Sequence, residues 1–201
     1  MPSGLWPDGS EDWQTPMPSV FSHAVVAIAI GKVVQPERPP WWYWALGAAV
    51  SAAPDLDVIG FHFGVHYGDV MGHRGFTHSL VFAAMLAGVV TLAFLGQSKI
   101  SRWRLFLYLF LATASHGLLD AMTNGGLGVA FFSPFSNARY FFPFRPVKVS
   151  PIGVGRFFSP RGLAVIRSEL LWLWLPSTLV FVSFALAGSA RKKRAQQSPP
   201  S

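Results

Sequence analysis

The sequence has no cysteine. That excludes a disulfide scaffold, thiolate metal sites and a cysteine nucleophile. Charge is also scarce: Asp, Glu, Lys and Arg make up 12% of the 201 residues, where soluble domains carry about a quarter. Acid is the scarcest of all, with nine Asp and Glu against sixteen Lys and Arg and a net charge of +7. In their place stand apolar residues, 51% of the chain, including eighteen Phe and eight Trp. So much apolar surface excludes disorder along the whole length.

The positive charge forms no amphipathic stripe, and no nucleic-acid motif accompanies it, so sequence-specific nucleic-acid binding is not expected. The densest run, Arg191-Lys192-Lys193-Arg194, directly follows the last apolar segment. That is the pattern of a membrane protein with a cytoplasmic tail. Residues 1–18, with three acids and four Pro, read as a disordered leader without the positive start of a secretory signal. Residues 19–188 read as a membrane-embedded unit, and 189–201 as a basic disordered tail.

Five apolar segments lie at 20–34, 41–53, 80–95, 103–115 and 170–187. Several are shorter than the roughly 20 residues that cross a bilayer core, and each needs its polar flank to reach that length. Trp41, Trp42, Trp103, Trp172 and Trp174 at segment ends fit interfacial belts. The expected fold is all-α: a multispanning helical membrane bundle of about five apolar helices. A long Phe- and Pro-rich irregular loop is expected at 123–168, before the last helix. Within it, 139–144 and 147–149 could pair as a short hairpin, although Pro confines such strands to edges.

Ionisable groups in or beside membrane helices are costly and by default suggest function. Past residue 18 the acids are Glu37, Asp55, Asp57, Asp69, Asp120 and Glu169; the histidines are His23, His62, His66, His73, His78 and His116. Consecutive spans alternate in direction. His23 starts the first, Asp55 and Asp57 end the second, His73 and His78 open the third, His116 and Asp120 end the fourth, and Glu169 starts the fifth. All fall on one membrane face. The other face receives Lys32, Arg38, Lys99, Arg102, Arg104 and the terminal basic run. His116 and Asp120, at i and i+4, share a helix face and could grip one metal ion. Asp55 and Asp57 follow Pro54 on a loop or helix start, and a turn at 74–77 could bring His73 and His78 to one centre. Neutral imidazole with carboxylate suits Zn²⁺, and with more oxygen ligands Mn²⁺ or Fe²⁺. His62, His66 and Asp69 read as surface or turn residues.

Several motifs occur in order: Ser22-His23, Pro54-Asp55-Leu56-Asp57, His73-Arg74-Gly75-Phe76-Thr77-His78-Ser79 and His116-Gly117-Leu118-Leu119-Asp120. Thr123, Ser133-Pro134-Phe135-Ser136 and Ser168-Glu169-Leu170-Leu171 follow. The set resembles the YdjM-type inner-membrane, metal-dependent hydrolase family of bacteria, over roughly residues 20–187. The resemblance implies a multispanning helical protein of the bacterial inner membrane with a metal site. A looser likeness, in ligand types and order alone, is to helical zinc phospholipase C and P1-type nucleases.

The expected chemistry is metal-assisted hydrolysis of a phosphoester or lipid-linked substrate by a metal-activated water. The expected ligands of one to three divalent ions are His23, Asp55, Asp57, His73, His78, His116 and Asp120. Glu169 is expected as base or supporting partner, and Arg74 as a cation for an anionic substrate or a ligand carboxylate. Membrane lipids are the expected partners. A narrow bias in Lys and Arg places the C-terminus in the cytoplasm and the motif face outside. Rival readings are a metal-ion or proton transporter, or a membrane protein with a structural metal only.

Overall fold

The structure is a computed structural model that describes residues 19–35, 37–94, 96, 100–149 and 160–197. The leader expected at 1–18 lies outside them. Six α-helices follow in order: α1 Val20–Val34, α2 Trp41–Ala52, α3 Leu80–Ala93, α4 Arg102–Ala121, α5 Pro160–Glu169 and α6 Leu175–Gln197. A 3-10 helix, Ala53–Phe63, continues α2, and a shorter one, Phe76–His78, leads into α3. A π-helical segment, Leu170–Trp174, joins α5 to α6. Its cause is local: Pro176 has no N–H to offer the carbonyl four residues back, so a regular helix cannot run through this turn.

The all-α expectation holds. No strand forms among the described residues, only single bridges between Thr123 and Val147 and between Val129 and Tyr140. The hairpin expected from 139–144 and 147–149 is therefore not made. Tyr140 and Val147 each pair back towards the end of α4 instead, and Pro143 and Pro146 between them remove the donors a ladder needs. The loop expected to last until 168 stops earlier, at α5. Pro160 opens that helix, and its fixed φ and missing N–H are tolerated at a first helical position. The tail expected to be disordered from 189 is helical to Gln197, since Arg, Lys, Ala and Gln all favour helix.

Helices α1, α2 and α4 pack on one another, α3 packs on α4, and α6 on α1. Small residues let the backbones approach: Ala27, Ala87 and Ala112 are buried beside Tyr43, Tyr108 and Leu109. The Tyr108 ring fills the space over two glycines. A Cβ on Gly31 would stand 2.7 Å from its ring, and one on Gly47 would overlap its hydroxyl. Tyr43 stacks on Tyr108 at 4.2 Å and donates its hydroxyl to the Gly31 carbonyl. The far end of the bundle is closed by Arg104, which donates to Gln35 just past α1.

Among the described residues one helical stretch, Gly162–Ala190, is clearly long and apolar enough to cross a membrane, with mean hydropathy 1.9. Helices α1, α2 and α3 have 15, 12 and 14 residues. At about 1.5 Å per residue each falls short of a roughly 30 Å hydrocarbon core. Their flanks do not fully extend them as expected: α1 begins at its Ser19 cap and ends at Gln35, and only α2 runs on, as 3-10 helix. Crossing by these helices does not follow from their length.

Candidate metal centre

The helix ends at one side of the bundle carry the site. His23 lies in the first turn of α1. Asp55 and Asp57 stand in the 3-10 helix that α2 becomes after Pro54. In a 3-10 helix residues two apart point to different sides, so the two carboxylates part: Asp55 faces α4, and Asp57 faces the turn before α3.

That turn is tightly wound. A Cβ on Gly72 or Gly75 would strike backbone carbonyls of residues 66 and 70. Between these glycines Arg74 adopts a left-handed φ of 61°, the only non-glycine among the described residues to do so. Such a conformation costs of order 1 kcal/mol or more and persists only where the surroundings impose it. Here it turns both neighbours of the site inward: the Arg74 and His73 side chains are fully buried. The short helix Phe76–His78 then delivers His78, and Ser79 caps α3 by accepting from the Phe82 N–H.

On α4, His116 and Asp120 share a face as expected. An acid in the last helical turn meets the negative end of the dipole, and the Arg74 guanidinium offsets it: Nε lies 3.2 Å from Asp120 Oδ2. The same guanidinium donates to the Gly125 carbonyl at 2.7 Å and to Thr123 Oγ1 at 3.2 Å. Gly126, at φ 83°, passes so close that a Cβ would lie 2.6 Å from Arg74 Nη1 and from the Tyr67 hydroxyl.

The imidazoles share a pattern. His73 Nδ1 lies 2.8 Å from Asp57 Oδ1. His116 Nδ1 lies 2.6 Å from the Ser51 carbonyl. His78 Nδ1 lies 3.0 Å from Thr77 Oγ1 and 3.3 Å from Asp57 Oδ2. One nitrogen of each ring is thus engaged from behind, leaving Nε2. His116 Nε2 stands 3.1 Å from Asp55 Oδ1, and His78 Nε2 stands 3.3 Å from Asp120 Oδ2. His23 stacks on His116 with ring centroids 3.8 Å apart.

The buried atoms left without a hydrogen-bond partner are telling. They include both nitrogens of His23, Nε2 of His73 and His78, Oδ2 of Asp55 and both carboxylate oxygens of Asp120. Orphaned polar atoms are expensive and rare in folded proteins, yet here they converge. One ligand atom each from Asp55, His73, His78 and Asp120 lie within 4.8 Å of one another, and so do those of His23, His116 and Asp120. These groups could hold a metal ion.

Electrostatics at the membrane-end segments follow from this crowding. Burial works against charge on Asp57, but hydrogen bonds from His73 and His78 hold its carboxyl down at about 2. Burial likewise opposes charge on Asp55, and contact with His116 and His78 overrides it, keeping the acid well below its usual range. His78 is disfavoured as a cation by burial, yet the surrounding Asp120, Asp55 and Asp57 raise it well above the ordinary imidazole value. His73 is lowered, chiefly by burial. A proton on His78 thus stands where a cation is wanted.

Of the nine residues expected from the sequence, eight gather here: His23, Asp55, Asp57, His73, Arg74, His78, His116 and Asp120. Asp57 turns its oxygens to His73 Nδ1 and to the Thr77 hydroxyl, which lies 2.6 Å from Oδ2, and belongs to neither of the two ligand groups. Arg74 is placed against Asp120, sealed from solvent, and so not towards a substrate. Glu169 does not join the cluster. Its two oxygens take the Ser19 N–H and hydroxyl, both at 2.6 Å, which fixes the start of α1. Sequence reasoning missed Thr77, although it stands inside the string that binds the site together. It also missed Arg139, which donates to the carbonyls of His73 and Tyr67 and pins the turn; no local signal marks it. His66 and Asp69 lie at the surface, as expected.

The model of the YdjM inner membrane protein family matches residues 17–194. The inner membrane protein YbcI of Escherichia coli K12 is 43% identical over 175 residues, which is 82% of this chain and 95% of that protein. No solved structure matches. The chain belongs to the YdjM inner membrane protein family and is a membrane protein.

Proposed function

We propose that the chain is a multispanning, metal-dependent hydrolase of the bacterial inner membrane that cleaves a phosphoester, with a lipid or lipid-linked molecule as substrate. The observation that carries this reading is the convergence of orphaned nitrogens and oxygens at one end of the bundle. Three carboxylates face one guanidinium in the cluster, so a divalent cation would balance charge that the protein leaves unbalanced. Imidazole and carboxylate suit Zn²⁺ first, with Mn²⁺ or Fe²⁺ as alternatives. Such an ion supplies a bound water whose pKa falls towards about 7. The protein's own part is positioning: Asp57 and Thr77 orient His73 and His78, the Ser51 carbonyl orients His116, and Arg74 holds Asp120.

Asp55, with its side chain 11% exposed, is the opening of the cluster towards substrate. The connecting segments expose Leu56, Phe63 and Phe135, apolar side chains suited to contact with acyl chains. Exposed Met85, Val89 and Leu92 on α3, with Leu179 and Leu186 on α6, favour lipid on the flanks and hence several spans. The cations gathered at the opposite end favour a cytoplasmic C-terminus and an outward-facing site.

Ligands grouped at one end speak against a transporter, which would carry them near mid-membrane. The near-complete burial of the cluster favours one rival, a metal that only staples helices. The test is to purify the protein in detergent, load it with Zn²⁺ and screen chromogenic phosphodiesters, phosphomonoesters and phospholipids. Turnover that disappears in His116→Ala supports the enzyme. Bound metal without turnover of any substrate contradicts it in favour of the staple.

A further inference from the structure

The two ligand groups overlap in a single residue. Asp55, His73, His78 and Asp120 form one; His23, His116 and Asp120 form the other. Asp120 is fully buried; its Oδ2 meets Arg74 Nε at 3.2 Å and His78 Nε2 at 3.3 Å, while its Oδ1 has no hydrogen-bond partner. His23 is equally buried, lies outside the first group, and has both ring nitrogens unpartnered. A buried imidazole with no hydrogen bond at either nitrogen is hard to explain as packing, because it forfeits two bonds it would make in water. The ligand atoms it groups with are those of His116 and Asp120.

Building on the metal-centre reading, we infer that the site holds two cations that share the Asp120 carboxylate, and that His23 belongs to the second. The two positions differ in kind. The first draws four protein ligands, the number that closes a tetrahedral zinc site. The second draws three, the number that leaves a position for water and substrate. A pair of ions about a shared carboxylate suits a phosphoester, whose attacking and leaving oxygens both need charge stabilisation.

The His23 ring is stacked nearly parallel to that of His116, at 14°, no hydrogen bond holds it, and its ligand atom lies within 4.8 Å of those of His116 and Asp120. The start of α1 is fixed by different means: Glu169 grips Ser19, and the Trp174 indole donates to Ser22 at 2.8 Å. Backbone held and ring unheld is the arrangement for a ligand that adjusts to its ion. Glu169 acts here as a positioning residue for the second ion, through α1.

The test counts ions. The detergent-purified full chain is stripped with chelator, titrated with Zn²⁺ and measured by elemental analysis after gel filtration. Two ions per chain, bound in a tight and a weaker step, with one remaining in His23→Ala, is the expected result. His23→Asn serves if the alanine variant does not fold, since it leaves a smaller cavity than alanine. Glu169→Gln is expected to weaken the second step at least tenfold and leave the first unchanged. One ion in the wild type, or two retained in the His23 variants, overturns the second site while leaving the metal centre standing. No ion in the wild type overturns the metal centre itself.

Discussion

Asp57 Oδ1 lies 2.8 Å from Nδ1 of His73, and this pairing leaves the other ring nitrogen, Nε2, buried and without a partner. The carboxylate therefore sets which nitrogen is available, as carboxylates commonly do behind metal-binding histidines. Asp57→Asn is expected to lower Zn²⁺ affinity about 10–100-fold with the number of bound ions unchanged. Chelator competition measures both. Loss of a whole ion would make Asp57 a ligand in its own right.

Arg74 and Asp120 are both fully buried, with guanidinium Nε and carboxylate 3.2 Å apart. Removing one partner of such a pair leaves the other charge uncompensated, at about 3–5 kcal/mol. Arg74→Ala is expected to lower the thermal midpoint of the metal-free protein sharply, and added Zn²⁺ to restore part of the loss by neutralising Asp120. Differential scanning fluorimetry in detergent reads both. An equal loss with and without Zn²⁺ would mean that Arg74 acts only through packing.

The raised pKa of His78 has a sign that can be checked. Its proton stabilises the metal-free fold fully below the ordinary value of 6.5, and that contribution fades as pH climbs through the raised folded-state value. The metal-free protein should therefore lose stability as pH rises above 6.5 and through the raised value of His78. Zn²⁺ competes with the same proton, so its affinity should rise over that range. Flat affinity above pH 6.5 would place the titrating group elsewhere.

Within the bundle, Gly47 sits where a Cβ would overlap the Tyr108 hydroxyl, while a Cβ on Gly88 of α3 would meet nothing. Gly47→Ala is expected to cost about 1–3 kcal/mol by overpacking, and Gly88→Ala to cost nothing. Thermal midpoints of the two variants decide this. Equal behaviour would contradict the close approach of α2 and α4.

Much of the helical frame could be read in advance. Apolar runs at 20–34 and 80–95 became α1 and α3 almost to the residue. The gathering of His23, Asp55, His73, His78, His116 and Asp120 was legible from alternation alone. Their division of labour was not. Asp55 and Asp57 look equivalent in sequence, and only the 3-10 winding after Pro54 sends one towards α4 and the other behind His73. Glu169 looked like a base because it shares the face of the cluster; its real partner, Ser19, lies 150 residues away. The hairpin is not made because Tyr140 and Val147 pair instead with Val129 and Thr123, in the segment that follows α4.

The most direct measurement is the metal content of the protein purified in detergent, set beside that of His116→Ala and Asp120→Ala. The expected result is stoichiometric divalent metal in the wild type, reduced or abolished in both variants. Wild-type protein that takes up no divalent metal, even after incubation with Zn²⁺, would contradict the cation centre and the hydrolysis built on it.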